Sequence, residues 1–429
     1  MTDAIRKEPG VSWLSIIWSA RHDPAARIFN IDLLTVLIAI LLPWSTSGVA
    51  IAVVLWFAAL VPTIEPRALL RSLMWPISVL PIAIVALALV GTLWSDASWG
   101  ARLHAVSPTA KLLVLPLLFY HFQRSPRGLW VFIAFLASCT LLMVVSWAVA
   151  FEPNLTLKPE IESRGIFVKN YIDQSQEFAL CAVALAYPVM MALRTGRTRL
   201  ALLLTAIALS LLVNMMFVVV SRTALVTMPV MLAVFALLHL KWRTSLAIFG
   251  AVAVMATLAW AASPQLQWTT TTFLRDYQIY KEQDQPTSIG VRLLFWQKSL
   301  RFIAEAPVIG HGTGSTRGLF EQAATGPAVL AGGQVVSNPH NQTLNVAIQW
   351  GVLGVIVLYA TWWLHLLLFR GEGLAAWIGL MVVVQNIFTS LFNSHLFDFH
   401  QGWMYVLGAG VAGGMVLGAR RTAVIPGRE

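Results

Sequence analysis

Residues 200–240 read LALLLTAIALSLLVNMMFVVVSRTALVTMPVMLAVFALLHL, with Arg222 the one formal charge in the whole stretch. A membrane crossing takes about 20 consecutive apolar residues, so this segment is long enough for two helices that meet at Ser221-Arg222. The rest of the chain has the same character. Of its 429 residues, 58% are apolar and 11% charged, where soluble domains average about 25% charged. Mean hydropathy is +0.74. This composition excludes a disordered chain, a collagen-like repeat and a secreted disulfide scaffold. An all-α integral membrane protein is expected. Cys139 and Cys181 lie inside apolar runs, so neither a disulfide framework nor a cysteine-based zinc site follows from them.

Working outward, apolar runs predict twelve spans at 28–43, 47–63, 73–94, 105–122, 128–150, 177–193, 200–220, 223–240, 245–262, 342–369, 373–393 and 401–419. Those near Pro43, Pro81 and Pro116 are expected to kink. Residues 1–27 form a cytoplasmic N-terminal segment with an interfacial helix over Val11–Trp18. A cleavable signal is not expected there, because Arg21, His22 and Asp23 follow the apolar patch instead of a small-residue cleavage site. Residues 28–262 hold spans one to nine, with an outer loop at 151–176. A large outer loop covers 263–341, spans ten to twelve lie within 342–419, and 420–429 is a cytoplasmic tail.

The net charge of +10 first suggests a nucleic-acid partner, but topology accounts for it. With both termini on one side, that side holds 17 basic and seven acidic residues, while the other holds 12 of each. By the positive-inside rule the basic side is the cytoplasm, and no nucleic acid is needed.

Loops longer than about 15 residues are usually functional when they are not disordered. The loop at 263–341 contains a helix-like stretch, Gly290–Ala304, followed by the glycine-rich Gly310–Gly314. Arg222, between two outward-meeting helices, is either an anion ligand or a snorkelling turn residue. Arg292 opens the loop helix, where backbone N–H groups and a guanidinium fork suit phosphate; a plain surface arginine fits equally. His340, at the mouth of span ten, is a candidate general base or a structural imidazole. His311 sits among glycines that permit close backbone approach to a ligand, but no βαβ unit forms there, so dinucleotide binding is not expected. Arg164 and Lys169 either extend an anion site or pair with Glu160 and Glu162. The outer acidic residues show no metal-ligand spacing. His395 and His400, with the remaining histidines, read as structural or interfacial.

Ser221-Arg222-Thr223-Ala224-Leu225, Arg292 with Trp296, Pro307-Val308-Ile309-Gly310-His311-Gly312 and His340-Asn341-x-x-Leu344-Asn345 leading into Gly351-Val352-Leu353-Gly354 form an ordered set. Together with the span count, they resemble the bacterial O-antigen ligase and O-antigen polymerase superfamily. The resemblance implies a GT-C-like membrane glycosyltransferase fold with its active site on the periplasmic face of the inner membrane. It implies transfer of O-antigen glycan from undecaprenyl pyrophosphate to a hydroxyl of the lipid A–core oligosaccharide, with membrane lipids as surroundings and no metal or other cofactor. Carried over, the family arginines fall on Arg222 and Arg292 and the family histidine on His340. Arg164, Lys169, Gln176, His311 and Asn341 are expected to contact substrate.

Three rival readings compete with this one. A polymerase uses a second lipid-linked glycan as acceptor. Protein O-glycosylating ligases usually carry a further C-terminal soluble region, against which the short tail speaks. A lipid-linked oligosaccharide transporter predicts internal repeats and charges near the bilayer midplane, and neither is apparent in the sequence.

Overall fold

The computed structural model describes residues 23–158, 165–283, 285–327 and 329–424. The interfacial helix expected over 11–18, Arg164 and the last five residues lie outside them. Within the described residues all regular structure is helical and no strand occurs.

The chain runs α1 (Pro24–Leu41), α2 (Thr46–Leu60), α3 (Pro66–Leu73), α4 (Pro76–Val90), α5 (Trp99–Val106), α6 (Val114–Phe122), α7 (Gly128–Phe151), α8 (Tyr171–Ala184), α9 (Ala186–Arg194), α10 (Thr198–Phe217), α11 (Arg222–His239) and α12 (Trp242–Ala262). Then come α13 (Pro264–Gln283), α14 (Ser288–Glu305), α15 (Thr316–Gln322), α16 (Gln342–Leu368), α17 (Leu374–Thr389) and α18 (Phe399–Val424). Polar residues start several of these helices by binding otherwise unpaired N–H groups. Ser45 accepts from Gly48, Asn170 from Asp173, Thr287 from Gly290 and Asn341 from Leu344.

Ten of the described helical stretches are long and apolar enough to cross a membrane, or eleven if the bent pair α3–α4 is one span. Each of the twelve expected spans has a helical counterpart. The third, expected over 73–94 with a kink near Pro81, runs as α4 with Pro81 inside the helix. The 80° bend lies at its start, between α3 and α4, where Pro76 opens α4 with its ring at the first turn. The eleventh is α17, an apolar helix of 16 residues, shorter than a full crossing. The helix expected over Gly290–Ala304 runs from Ser288 to Glu305. The preceding α13 was not anticipated: it has four consecutive threonines and little apolar periodicity.

The largest core lies where α18 packs along α6 and α17. Small residues make that approach possible, as in many membrane bundles. A Cβ on Gly410, Gly413 or Gly414 would meet Leu118, Phe119 or Phe122 at 2.7, 2.3 and 2.5 Å. By contrast α12 buries only 6% of its apolar window and touches little beyond α11 and α13.

One helix is broken where it matters for the loop above it. Inside α16, Gly351 has φ 59° and ψ −154°, so the intrahelical ladder is interrupted. The groups released there bond to the loop. His311 and Gly312 N–H donate to the carbonyls of Ile348 and Gln349 at 2.8 and 2.9 Å, and Val352 and Leu353 N–H donate to Pro307 and Val308 at 2.8 and 3.3 Å. The segment 307–312 is thereby stitched to the core.

Candidate functional site

The arginine between two apolar runs takes its place from a break in the helix. α10 ends at Phe217, the backbone leaves helical geometry at Val218, and an extended Ser221 precedes α11. Arg222 is therefore the first residue of α11, at the end of the bundle. Its Nε donates to the Thr269 carbonyl (3.0 Å) and one terminal nitrogen to Thr272 Oγ1 (2.7 Å). Both terminal nitrogens donate to Asp276 Oδ2, at 3.3 and 3.4 Å.

Arg222 and Arg292, 70 positions apart in sequence, line one cavity of about 270 Å³ with Tyr171, Ser221, Thr269, Thr272 and Ser288. Arg292, in the second turn of α14, makes no hydrogen bond or salt bridge among the described residues. Burial lowers its pKa, Arg222 lowers it further, and Tyr171 opposes the shift. A half-buried guanidinium without a counter-ion, next to a second guanidinium, favours an anion.

His340 stands just before α16 at φ +55°, the one non-glycine residue with positive φ among the described residues. That backbone costs about 1 kcal/mol or more, and a cluster of side chains holds it. Asn338 Oδ1 accepts the His340 N–H (3.0 Å), Asn393 Oδ1 faces Nδ1 (3.1 Å), and the ring stacks on Phe295 at 6.3 Å. Asn393 Oδ1 also accepts from Asn338 (2.8 Å), and Asn393 Nδ2 donates to Asp398 Oδ2 (2.7 Å). With Asn393 Oδ1 already accepting and its amide turned to Asp398, the Nδ1 of His340 carries the proton. That tautomer leaves Nε2 with a free lone pair.

Burial lowers the pKa of His340, the Arg292 charge lowers it further, and the Asn393 hydrogen bond partly opposes both. The imidazole is thus neutral near pH 7 and able to accept a proton. Around it, burial pushes Asp398 up to about 7 against the pull of Lys111, and burial pushes His395 down to about 4.

The remaining expected site residues are placed elsewhere. Lys169 Nζ donates to Glu177 (2.9 Å) and to the Leu42 carbonyl, with Lys169 5% and Glu177 0% exposed. Gln176 accepts from Gln385 at its carbonyl and Oε1 (2.7 and 3.0 Å). Both brace α8 against its neighbours. His311 Nε2 donates to the Phe302 carbonyl (2.8 Å), and Asn341 caps α16 while donating to Leu391 (3.2 Å). None of these four lines the arginine cavity.

Sequence reasoning missed Asp276, Asn393 and Asp398, and it set aside His395 and His400. His400 Nδ1 lies 2.7 Å from Asp173. The available signal was the polar run Asn393-Ser394-His395-Leu396-Phe397-Asp398-Phe399-His400 between two apolar spans. Among the described residues, no three His, Cys, Asp or Glu side chains converge as metal ligands. A larger apolar cavity, of about 370 Å³, lies between helices, with Phe132, Leu185, Leu204, Ile378 and Leu407 on its walls.

No curated protein matches the chain. Residues 206–359, which carry Arg222, Arg292, His340 and the break at Gly351, match the family model described as O-antigen ligase. Over this segment, about a third of the chain, it is similar to the O-antigen ligase family.

Proposed function

We propose that the protein is an O-antigen ligase with a GT-C-like fold. In this reading it transfers glycan from undecaprenyl pyrophosphate to a hydroxyl of lipid A–core oligosaccharide, at the periplasmic face of the bacterial inner membrane. The observation that carries it is the shared cavity of Arg222 and Arg292, with the neutral His340 under the field of Arg292. The surplus of basic residues at the opposite end supports the orientation.

Chemically, a sugar hydroxyl is a poor nucleophile until its proton is removed. His340 Nε2 takes that proton, and the acceptor oxygen attacks the anomeric carbon from the face opposite the phosphate, inverting it. The bond from the anomeric carbon to the phosphate oxygen breaks, and its electron pair stays on the pyrophosphate. Arg222 and Arg292 are permanently charged and grip the developing charge without a metal ion. The 370 Å³ apolar cavity suits a lipid chain. Lys169, Gln176, His311 and Asn341 are then supports of the site, and Arg164 is assigned to the glycan.

The test mixes purified protein, undecaprenyl-pyrophosphate glycan and lipid A–core with EDTA. Ligation that falls about 100-fold or more in His340→Ala and Arg292→Ala agrees with the reading. Loss on adding EDTA refutes the metal-free step. Product found only as longer lipid-linked glycan makes the protein a polymerase. Full activity in both variants removes the site assignment.

A further inference from the structure

Arg222 is already occupied in the free protein. Its three partners, Thr269, Thr272 and Asp276, fall on one face of α13 at steps of three and four residues. Thr269 and Thr272 hold it through uncharged oxygens. Asp276 differs, because its carboxylate takes both terminal nitrogens, the ones a phosphate would use. Asp276 is itself held in place. Its carbonyl accepts from Thr287 Oγ1 (2.7 Å), and Thr287 caps the helix that carries Arg292. Gly290 packs so closely on Tyr280 that an added Cβ would lie 2.2 Å away. α13 and α14 are therefore one tight hairpin bringing a carboxylate and a guanidinium to Arg222.

We propose that the Asp276 carboxylate competes with pyrophosphate for Arg222 and thereby speeds release of the departing group. The proposal rests on the reading of this cavity as the donor's pyrophosphate site. The donor enters as a diester of pyrophosphate. When the bond to the anomeric carbon breaks, the electron pair stays on the phosphate oxygen and the acceptor's proton goes to His340. The group left behind carries more negative charge than the one that arrived. Two arginines alone hold that product more tightly than the substrate, which slows turnover. A carboxylate on Arg222 penalises each added negative charge, so it weakens the product more than the donor. The pair is partly exposed, with side-chain exposures of 35% for Arg222 and 22% for Asp276, so an incoming anion can reach and displace it.

The experiment titrates inorganic pyrophosphate into the full-length protein in detergent, by calorimetry, for wild type, Asp276→Asn and Asp276→Ser. Asparagine keeps an oxygen for Arg222 and removes only the charge. The expected result is tighter pyrophosphate binding in both variants, on the order of five-fold, because one ion pair no longer competes. In Asp276→Asn, steady-state turnover falls relative to the single-turnover rate, and inhibition by undecaprenyl pyrophosphate strengthens. A purely structural role for Asp276 cannot produce tighter binding. Equal or weaker pyrophosphate binding in the variants, with binding by wild type intact, overturns this proposal alone. No binding by wild type, or wild-type binding in the double variant Arg222→Ala with Arg292→Ala, overturns the donor-site reading and this proposal with it.

Discussion

Replacing Gly351 by alanine tests the joint between α16 and the loop that it anchors. At φ 59° and ψ −154° the backbone lies in a region essentially reserved for glycine, and forcing another residue there costs on the order of 1–3 kcal/mol. Space is short as well. The new Cβ would lie 2.4 Å from the carbonyl carbon and oxygen of Val308, backbone atoms that cannot swing aside. Moving them breaks at least the bonds from Val352 to Pro307 and from Leu353 to Val308, about 0.5–1.5 kcal/mol each. The sum is roughly 4 kcal/mol. Thermal unfolding followed by tryptophan fluorescence in detergent reads it as a fall of several degrees, with transfer activity reduced in parallel. Gly318→Ala is the control, since nothing lies within 4 Å of a Cβ added there. A Gly351→Ala protein that melts with wild type and keeps full activity would refute the account of the joint.

Two further outcomes are expected. Because burial and then Arg292 hold the His340 pKa below 6.5, the base is neutral at pH 7, and transfer is lost only as pH falls through that lowered value. In Arg292→Gln the acidic limb of kcat/KM moves to higher pH as the rate drops; a limb that stays put shows that Arg292 does not act on the imidazole. Asn393→Ala removes the acceptor for Nδ1 and frees the ring to turn, so kcat falls about ten- to a hundred-fold with little change in donor KM. A change in KM alone would place Asn393 against substrate instead of behind His340.

Hydropathy located the helices well, because each span answers to its own run of apolar residues and needs no knowledge of its neighbours. The bend before the third span was harder: Pro76 lies near the start of one apolar run that also holds Pro81, and only Pro76 marks a bend, of 80°, between α3 and α4. Site residues divided along the same line. Arg222 and Arg292 stood out because charge at an apolar junction or a helix start is locally visible. Their meeting in one cavity depends on α13, whose threonine-rich sequence has no strong period. Lys169 and Gln176 looked like substrate contacts because polar residues beside a span draw attention. Glu177, Leu42 and Gln385 absorb them, and the last two come from distant parts of the chain. Asn393 was invisible for the opposite reason: an asparagine in a short turn is ordinary until a histidine 53 positions earlier folds against it.

The proposed phosphate grip and the proposed base are mounted on different parts of the molecule. Arg222 is held by α13, whereas His340 is held by the turn between α17 and α18. On the proposed reading, the arginine pair can keep a constant shape for the donor while positions of the 390–398 turn other than Asn393 and Asp398 vary to suit another acceptor. Such a layout lets acceptor choice diversify one turn at a time, with the means of activating the donor left untouched.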